Sequence, residues 1–239
     1  MQRGASVRPA RPYHHGNLRD ALVEAGLELA RAGGPDAVVL RAVSRAAGVS
    51  HNAGYRHFSD HDELLAAVSD QCMVRLAGLM TTRLDAVRSR KPVVRAWDRL
   101  DALGRAYIEF ARTEPGWFRT AFTAEAHSRP QAAPTPAVAP DCALPPGATK
   151  STRSTDAGDV GEFGDFLGPY ELLGACLDDL SASGAMPADR RPGAEYNAWS
   201  AVHGLSMLLI EGPLRGAGDA EVAGAIDIVT AAVRRSLTS

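Results

Sequence analysis

A chain of 239 residues with 45% apolar content can bury a substantial core, which excludes a wholly disordered protein and suits one or two domains. The formal charge of -2 conceals a division: residues 1–60 carry eight Arg against five acids, whereas residues 61–239 carry 18 Lys plus Arg against 23 acids. A basic front on an acidic body fits a polyanion-binding head, although the excess is too small to establish one by itself.

Residues 1–12 hold Arg3, Arg8 and Arg11 with two prolines and no acid, so this basic arm is expected to have no fold of its own. It is either a phosphate or minor-groove contact or a dispensable tail, and the sequence leaves both open. A first helix is expected from Gly16 or Asn17, with Asn17 as cap and Leu18, Leu22, Ala25 and Leu29 at helical spacing, until Gly33, Gly34 and Pro35 stop it. Tyr13, His14 and His15 precede it and read as packing or phosphate contacts, since no acidic or thiol partners stand near them to complete a metal site.

Residues 40–58, LRAVSRAAGVSHNAGYRHF, then have room for two helices and one tight turn. Gly48 follows an apolar run where a helix must stop, and Ser50 is placed to accept the first free amides of the next helix, as in a helix-turn-helix. Leu40, Val43 and Ala47 should face the core while Arg41 and Arg45 project outward as phosphate positioners. From His51 to His57 the second helix offers His51, Asn52, Tyr55, Arg56 and His57, all able to hydrogen-bond to base edges or phosphates. Ala53 and Gly54 are expected to keep its middle slim for close approach to a groove. The competing reading is an ordinary solvated helix pair, because short motifs of this kind recur by chance.

Asp60 and Glu63 read as a capping box for a fourth helix running to about Arg90, with Leu64, Val68, Cys72, Leu76, Leu79 and Val87 on its apolar side. Pro92 should end it, and a fifth helix with Val94, Trp97, Leu100, Gly104, Tyr107 and Ile108 on one face is expected to run to Thr113. Pro115 and Gly116 interrupt the chain before a short sixth helix bearing Trp117, Phe118, Ala121 and Phe122. Residues 128–161 contain six prolines and little apolar periodicity, and are expected to form a mobile loop. A seventh helix gathers Phe163, Phe166, Tyr170, Leu173, Leu177 and Leu180, with Pro169 starting or kinking it. The eighth, about Ala194 to Ile210, is apolar almost all round and so needs two faces buried. The last carries Val222, Ile226, Val229, Val233 and Leu237.

Residues 13–71, with the opening YHHGNLRDAL, the core RAVSRAAGVSHNAGYRHF and the following DHDELLAAV, resemble the amino-terminal domain of the TetR (tetracycline-repressor-like) family of bacterial transcription regulators. Trp199, His203 and Gly204 resemble the W, H, G signature of one class of carboxy-terminal domain in that family. The resemblance implies an all-α homodimer: an amino-terminal three-helix helix-turn-helix domain over 13–60, a linking fourth helix over 61–90, and a helical effector-binding and dimerisation domain over 91–239. Two departures stand out, because family members commonly have Thr where Val39 stands, and Lys where His61 stands.

On that reading the partner is double-stranded operator DNA, approximately palindromic, contacted by Arg41, Arg45, Ser50, His51, Asn52, Tyr55, Arg56, His57 and His61. Asn52 suits adenine and Arg56 suits guanine by bidentate geometry. The aromatic residues Trp97, Tyr107, Phe110, Trp117, Phe122, Phe166 and Tyr170 are candidates for a pocket holding a small apolar or amphipathic effector. The dimer interface is expected to use Trp199, Val202, His203, Met207, Ile210, Ile226, Val229 and Val233. No nucleophile motif, phosphate loop or paired acid and base points to catalysis, so no catalytic residue, cofactor or metal is expected. The alternatives are a DNA-binding regulator without a small effector and, less favoured, a helical-bundle enzyme. No run approaches the roughly 18 apolar residues of a membrane span, and Cys72, Cys142 and Cys176 are isolated thiols, so a cytoplasmic, nucleoid-associated protein is expected.

Overall fold

The computed structural model describes residues 18–128 and 167–238. The arm, Tyr13 to Asn17, the segment 129–161, Phe163 and Phe166 lie outside the described residues. Over the described residues the regular structure is helical: α1 is Leu18–Gly33, α2 Leu40–Ala46, α3 His51–Gly54, α4 His61–Asp85, α5 Pro92–Thr113, α6 Pro115–Ser128, α7 Pro169–Ala182, α8 Ala194–Ile210 and α9 Asp219–Thr238.

The punctuation follows from local chemistry. Pro92, Pro115 and Pro169 each open a helix, where the missing N–H has no partner to lose and the fixed φ is already helical. Pro115 and Gly116 therefore belong to α6 rather than to a break before it. The fourth helix ends at Asp85, five residues before the expected Arg90. Beyond its cap at Ala86 the Arg88 guanidinium takes the Asp85 carbonyl, the Ser89 hydroxyl is drawn to Asp98 on α5, and Lys91 is held extended by the proline that follows. Val87 therefore lies outside the helix. Val94 is 45% exposed, because the first turn of α5 extends past the core.

One continuous apolar core runs from Leu22 on α1 to Leu237 on α9, without a gap between head and body. α4 is its axis, packing on α1, α5, α6 and α7. By length and composition α4 could cross a membrane, but in this fold its Leu64, Val68, Cys72, Leu76 and Met80 are buried against those neighbours. A second cluster of Ile108, Leu205, Leu209 and Val222 ties α5, α8 and α9 together.

Candidate nucleic-acid interface and ligand cavity

The reading element is built from three short-range decisions. Gly48 adopts φ +73, the left-handed conformation that lets α2 stop and the chain turn. The Ser50 hydroxyl accepts the Ala53 N–H at 3.2 Å, capping α3. Leu40, Val43 and Ser44 of α2 face inward, leaving Arg41 and Arg45 exposed.

α3 is regular only over His51–Gly54, and Tyr55 to His57 continue it as turns. His51, Asn52, Tyr55 and Arg56 are exposed and His57 is half-buried. The His51 and Tyr55 rings meet edge to face at 4.6 Å, which orients both before any partner arrives. The Asn52 amide makes no hydrogen bond with any described residue and is available to a ligand. Gly54 does not serve groove approach. It is buried against α2, and a methyl placed there would overlap the Ser44 hydroxyl and lie 3.2 Å from Leu40 Cδ1, so the glycine sets how closely α3 packs on α2. Val39 starts α2 without a side-chain cap.

The amino terminus of α4 is capped reciprocally: Asp60 Oδ1 accepts the Glu63 N–H at 2.8 Å, and Glu63 Oε2 accepts the Ser59 N–H at 2.7 Å. The Glu63 N–H foremost, with the Ser59 hydroxyl and the Asp62 N–H, holds the Asp60 carboxyl below its ordinary pKa. His61 is exposed beside Asp62, with Nδ1 and Oδ1 3.2 Å apart.

The head is locked to the body by Trp117 on α6. Its Nε1 donates to the Leu27 carbonyl at 2.8 Å, and the guanidinium groups of Arg31 and Arg75 lie over its ring at 4.9 and 4.7 Å. Phe110 stacks on it, Arg31 also pairs with Glu114 at 2.6 Å, and Ser69 on α4 donates to the Ala121 carbonyl at 2.9 Å. Phe110 and Trp117 therefore pack in this junction, away from the walls of the cavity between α5, α8 and α9. Their spacing on an apolar stripe is the same for either role.

Trp97 and Tyr107, by contrast, line a cavity of about 320 Å³ between α5, α8 and α9, with Leu103, Leu173, Trp199 and Val202 among the other walls. Its rim carries Asp98, Asp101, Thr230 and Arg234. Phe122 lines a separate cleft with His203, between α6, α8 and the turn after α1. Tyr170 is exposed, with its ring 5.8 Å from that of Trp199. The Tyr107 hydroxyl lies 2.8 Å from His203 Nδ1, and burial pulls the His203 pKa below its ordinary value. Burial thus favours the neutral imidazole, whose tautomer sets which of the two groups donates in this hydrogen bond. Sequence reasoning missed Asp98 and Arg234, whose role depends on helices far apart in the chain.

Of the expected interface residues, Trp199, Val202 and His203 turn inward. Trp199 and His203 join the aromatic cluster around Tyr107, Val202 lines the cavity, and Val233 is buried in the core. Met207, Ile210, Ile226 and Val229 are half-buried. The outward stripe of α8 is Tyr196, Ser200, Gly204 and Leu208, four residues apart, and that of α9 includes Gly224 and Ile228. Because α8 is apolar on both sides, its periodicity could not say which side faces out.

Residues 22–68 match the family model described as bacterial regulatory proteins, tetR family. The head carries the amino-terminal domain of the bacterial tetR-family regulatory proteins. Among solved structures of similar fold, a Rhodococcus sp. RHA1 protein of unknown function is 23% identical, with a TM-score of 0.63 over 96% of this chain and 100% of its own. A putative tetR family transcription regulator from Shewanella sp. PV-4 is 14% identical, with a TM-score of 0.53 over 90% of this chain and 96% of its own. A TetR family transcription regulator from Marinobacter aquaeolei VT8 is 16% identical, with a TM-score of 0.53 over 90% and 94%. These likenesses establish a shared fold. No curated protein gives a significant match. Among the described residues no three His, Cys, Asp or Glu side chains come together as metal ligands.

Proposed function

We propose that this TetR-family protein is a ligand-responsive repressor that binds a palindromic operator as a homodimer, placing two copies of α3 in successive major grooves about 34 to 36 Å apart. The observation that carries the DNA reading is the capped helix-turn-helix with Asn52 exposed and unengaged beside the oriented His51 and Tyr55. Asn52 and Arg56 read bases, with His51 and the free lone pair of Ser50 in support. Arg41, Arg45, Tyr55, His57 and His61 hold phosphates.

The dimer uses the outward stripes of α8 and α9. Tyr196 and Ile228 are 69% and 70% exposed, an unusual cost for large apolar side chains in a protomer that stays alone. A methyl added at Gly204 or Gly224 would meet nothing within 4 Å, so neither glycine serves the protomer's own packing, and both suit the close approach of a second pair of helices. This proposed interface takes the exposed stripes in place of Trp199, Val202, His203 and Val233, which turn inward, and leaves Met207, Ile210, Ile226 and Val229 at its edge.

An effector in the α5, α8 and α9 cavity would favour one arrangement of the body, and the Trp117 junction would pass that bias to α1 and α4 and so to the spacing of the two reading helices. The family points away from catalysis. Selection of bound sequences from a random DNA pool tests the proposal: a palindrome with half-sites one helical turn apart is expected, and enrichment of single asymmetric sites would contradict the symmetric dimer. A regulator with no small effector is the second reading, favoured if no compound that binds the cavity alters operator affinity.

A further inference from the structure

We propose that the cavity between α5, α8 and α9 takes a singly charged organic cation with an apolar body, and that Arg234 is a tethered cation which this ligand displaces. The inference rests on the reading above that this cavity is the effector site.

The floor of Leu103, Leu173 and Val202 offers nothing to a polar body, so most of the occupant must be apolar. Trp97, Trp199 and Tyr107 add aromatic walls, whose faces attract positive charge. At the rim, Asp98 and Asp101 stand three residues apart on α5 and so share a side of the helix. Asp101 is already held by Arg105 at 2.7 Å, and Arg105 also reaches Asp227 at 2.6 Å. Asp98 receives only the uncharged hydroxyl of Ser89 and has no cation within ion-pair reach among the described residues. Asp98 is therefore a rim carboxylate outside any ion pair of the described residues.

The molecule itself shows what the wall accepts. Arg234, on α9, lies with its guanidinium 4.6 Å over the Trp97 ring and pairs with no carboxylate among the described residues. It sits as an internal cation on the face a ligand cation would use. An anionic group in the cavity would meet two carboxylates, Asp98 and Asp101, against the one guanidinium of Arg234, so the lining disfavours it. Displacing Arg234 acts on α9, one of the two helices assigned to the dimer interface, which gives such a ligand a route to the spacing of the heads.

Isothermal titration of the full chain with one apolar body in three charge states tests this: a phenylbutyl chain ending in trimethylammonium, in an alcohol or in a carboxylate. The ammonium compound should bind about tenfold or more tightly than the other two. Asp98→Asn should bring the ammonium-to-alcohol ratio close to one, and Arg234→Gln should strengthen ammonium binding by roughly fivefold, the scale of one exposed cation–π contact. Equal binding of ammonium and alcohol, an unchanged ratio in Asp98→Asn, binding of the carboxylate most tightly, or binding of none of the three would each overturn the cation site. Repeating the titration with operator bound separates the two claims. A preferred cation that leaves operator affinity unchanged overturns the effector reading while the cation site stands, whereas release of operator by the alcohol or carboxylate alone upholds the effector reading and overturns the cation.

Discussion

Replacing Gly54 by Ala should damage operator recognition without touching DNA. The added methyl overlaps the Ser44 hydroxyl and approaches Leu40 Cδ1 to 3.2 Å, so either α3 lifts off α2 or side chains leave their rotamers. Overpacking of this kind costs about 1–3 kcal/mol, against a gain of roughly 0.5–1 kcal/mol from stiffening the unfolded chain, leaving a net loss on the order of 1–2 kcal/mol. Ser44 has its own consequence: its hydroxyl is buried with no hydrogen-bond partner, so Ser44→Ala should stabilise the protein by about 1 kcal/mol. Removing that oxygen also opens the space the new methyl needs. Gly54→Ala should then cost less in the Ser44→Ala background than in the natural one, a coupling of about 0.5–3 kcal/mol, with a remainder from Leu40. Urea unfolding of the four proteins measures the coupling, and operator affinity should fall in the single Gly54 variant and recover in the double. Equal costs in both backgrounds, or a neutral Gly54→Ala, would refute the claim that this contact positions the reading helix.

Trp117→Phe keeps an apolar ring but strands the Leu27 carbonyl, and should cost about 1–2 kcal/mol in urea unfolding, against about 3–5 kcal/mol for Trp117→Ala. A Phe variant as stable as the parent would contradict the proposed lock. Because burial depresses the His203 pKa, the unfolded chain takes up a proton that the folded one resists. His203 therefore subtracts no stability above its unfolded value of about 6.5, and stability is lost as pH falls below it. His203→Gln should flatten the fall of the urea midpoint between pH 7 and pH 5, and an unaltered slope would count against it. Burial also pushes the Cys72 thiol up to about 12 and that of Cys176 up to about 11, so neither is a thiolate at pH 8. Iodoacetamide should label both positions only after denaturation, and rapid labelling of the native protein would show that these sites open.

Most helix boundaries were legible because they depend on neighbours in the chain. Ser50, Asp60, Pro92 and Pro169 act within a turn of themselves, and α5 and α8 begin and end where their residues place them. What could not be read were the choices between faces. Gly54 suits a groove and a tight helix crossing equally, and only Ser44 opposite it decides. Trp117 and Trp97 are both aromatic residues on apolar stripes, yet one is clasped by Arg31 and Arg75 while the other lines a cavity under Arg234. α8 is apolar on two sides, so its outward stripe emerged only once Tyr107 had claimed His203 and Trp199. Beyond the end of α4 at Asp85, Ser89 in the connecting segment meets Asp98 on α5, a contact that no local pattern encodes.

The central claim is that α3 distinguishes bases through Asn52, and comparing Asn52→Ala with the parent on selected operator and on unrelated duplex at one salt concentration tests it most directly. Loss of a base contact worth about 1–3 kcal/mol should weaken operator binding by roughly five- to 150-fold and leave binding to unrelated DNA unchanged. Equal losses on both duplexes, or none on either, would contradict it.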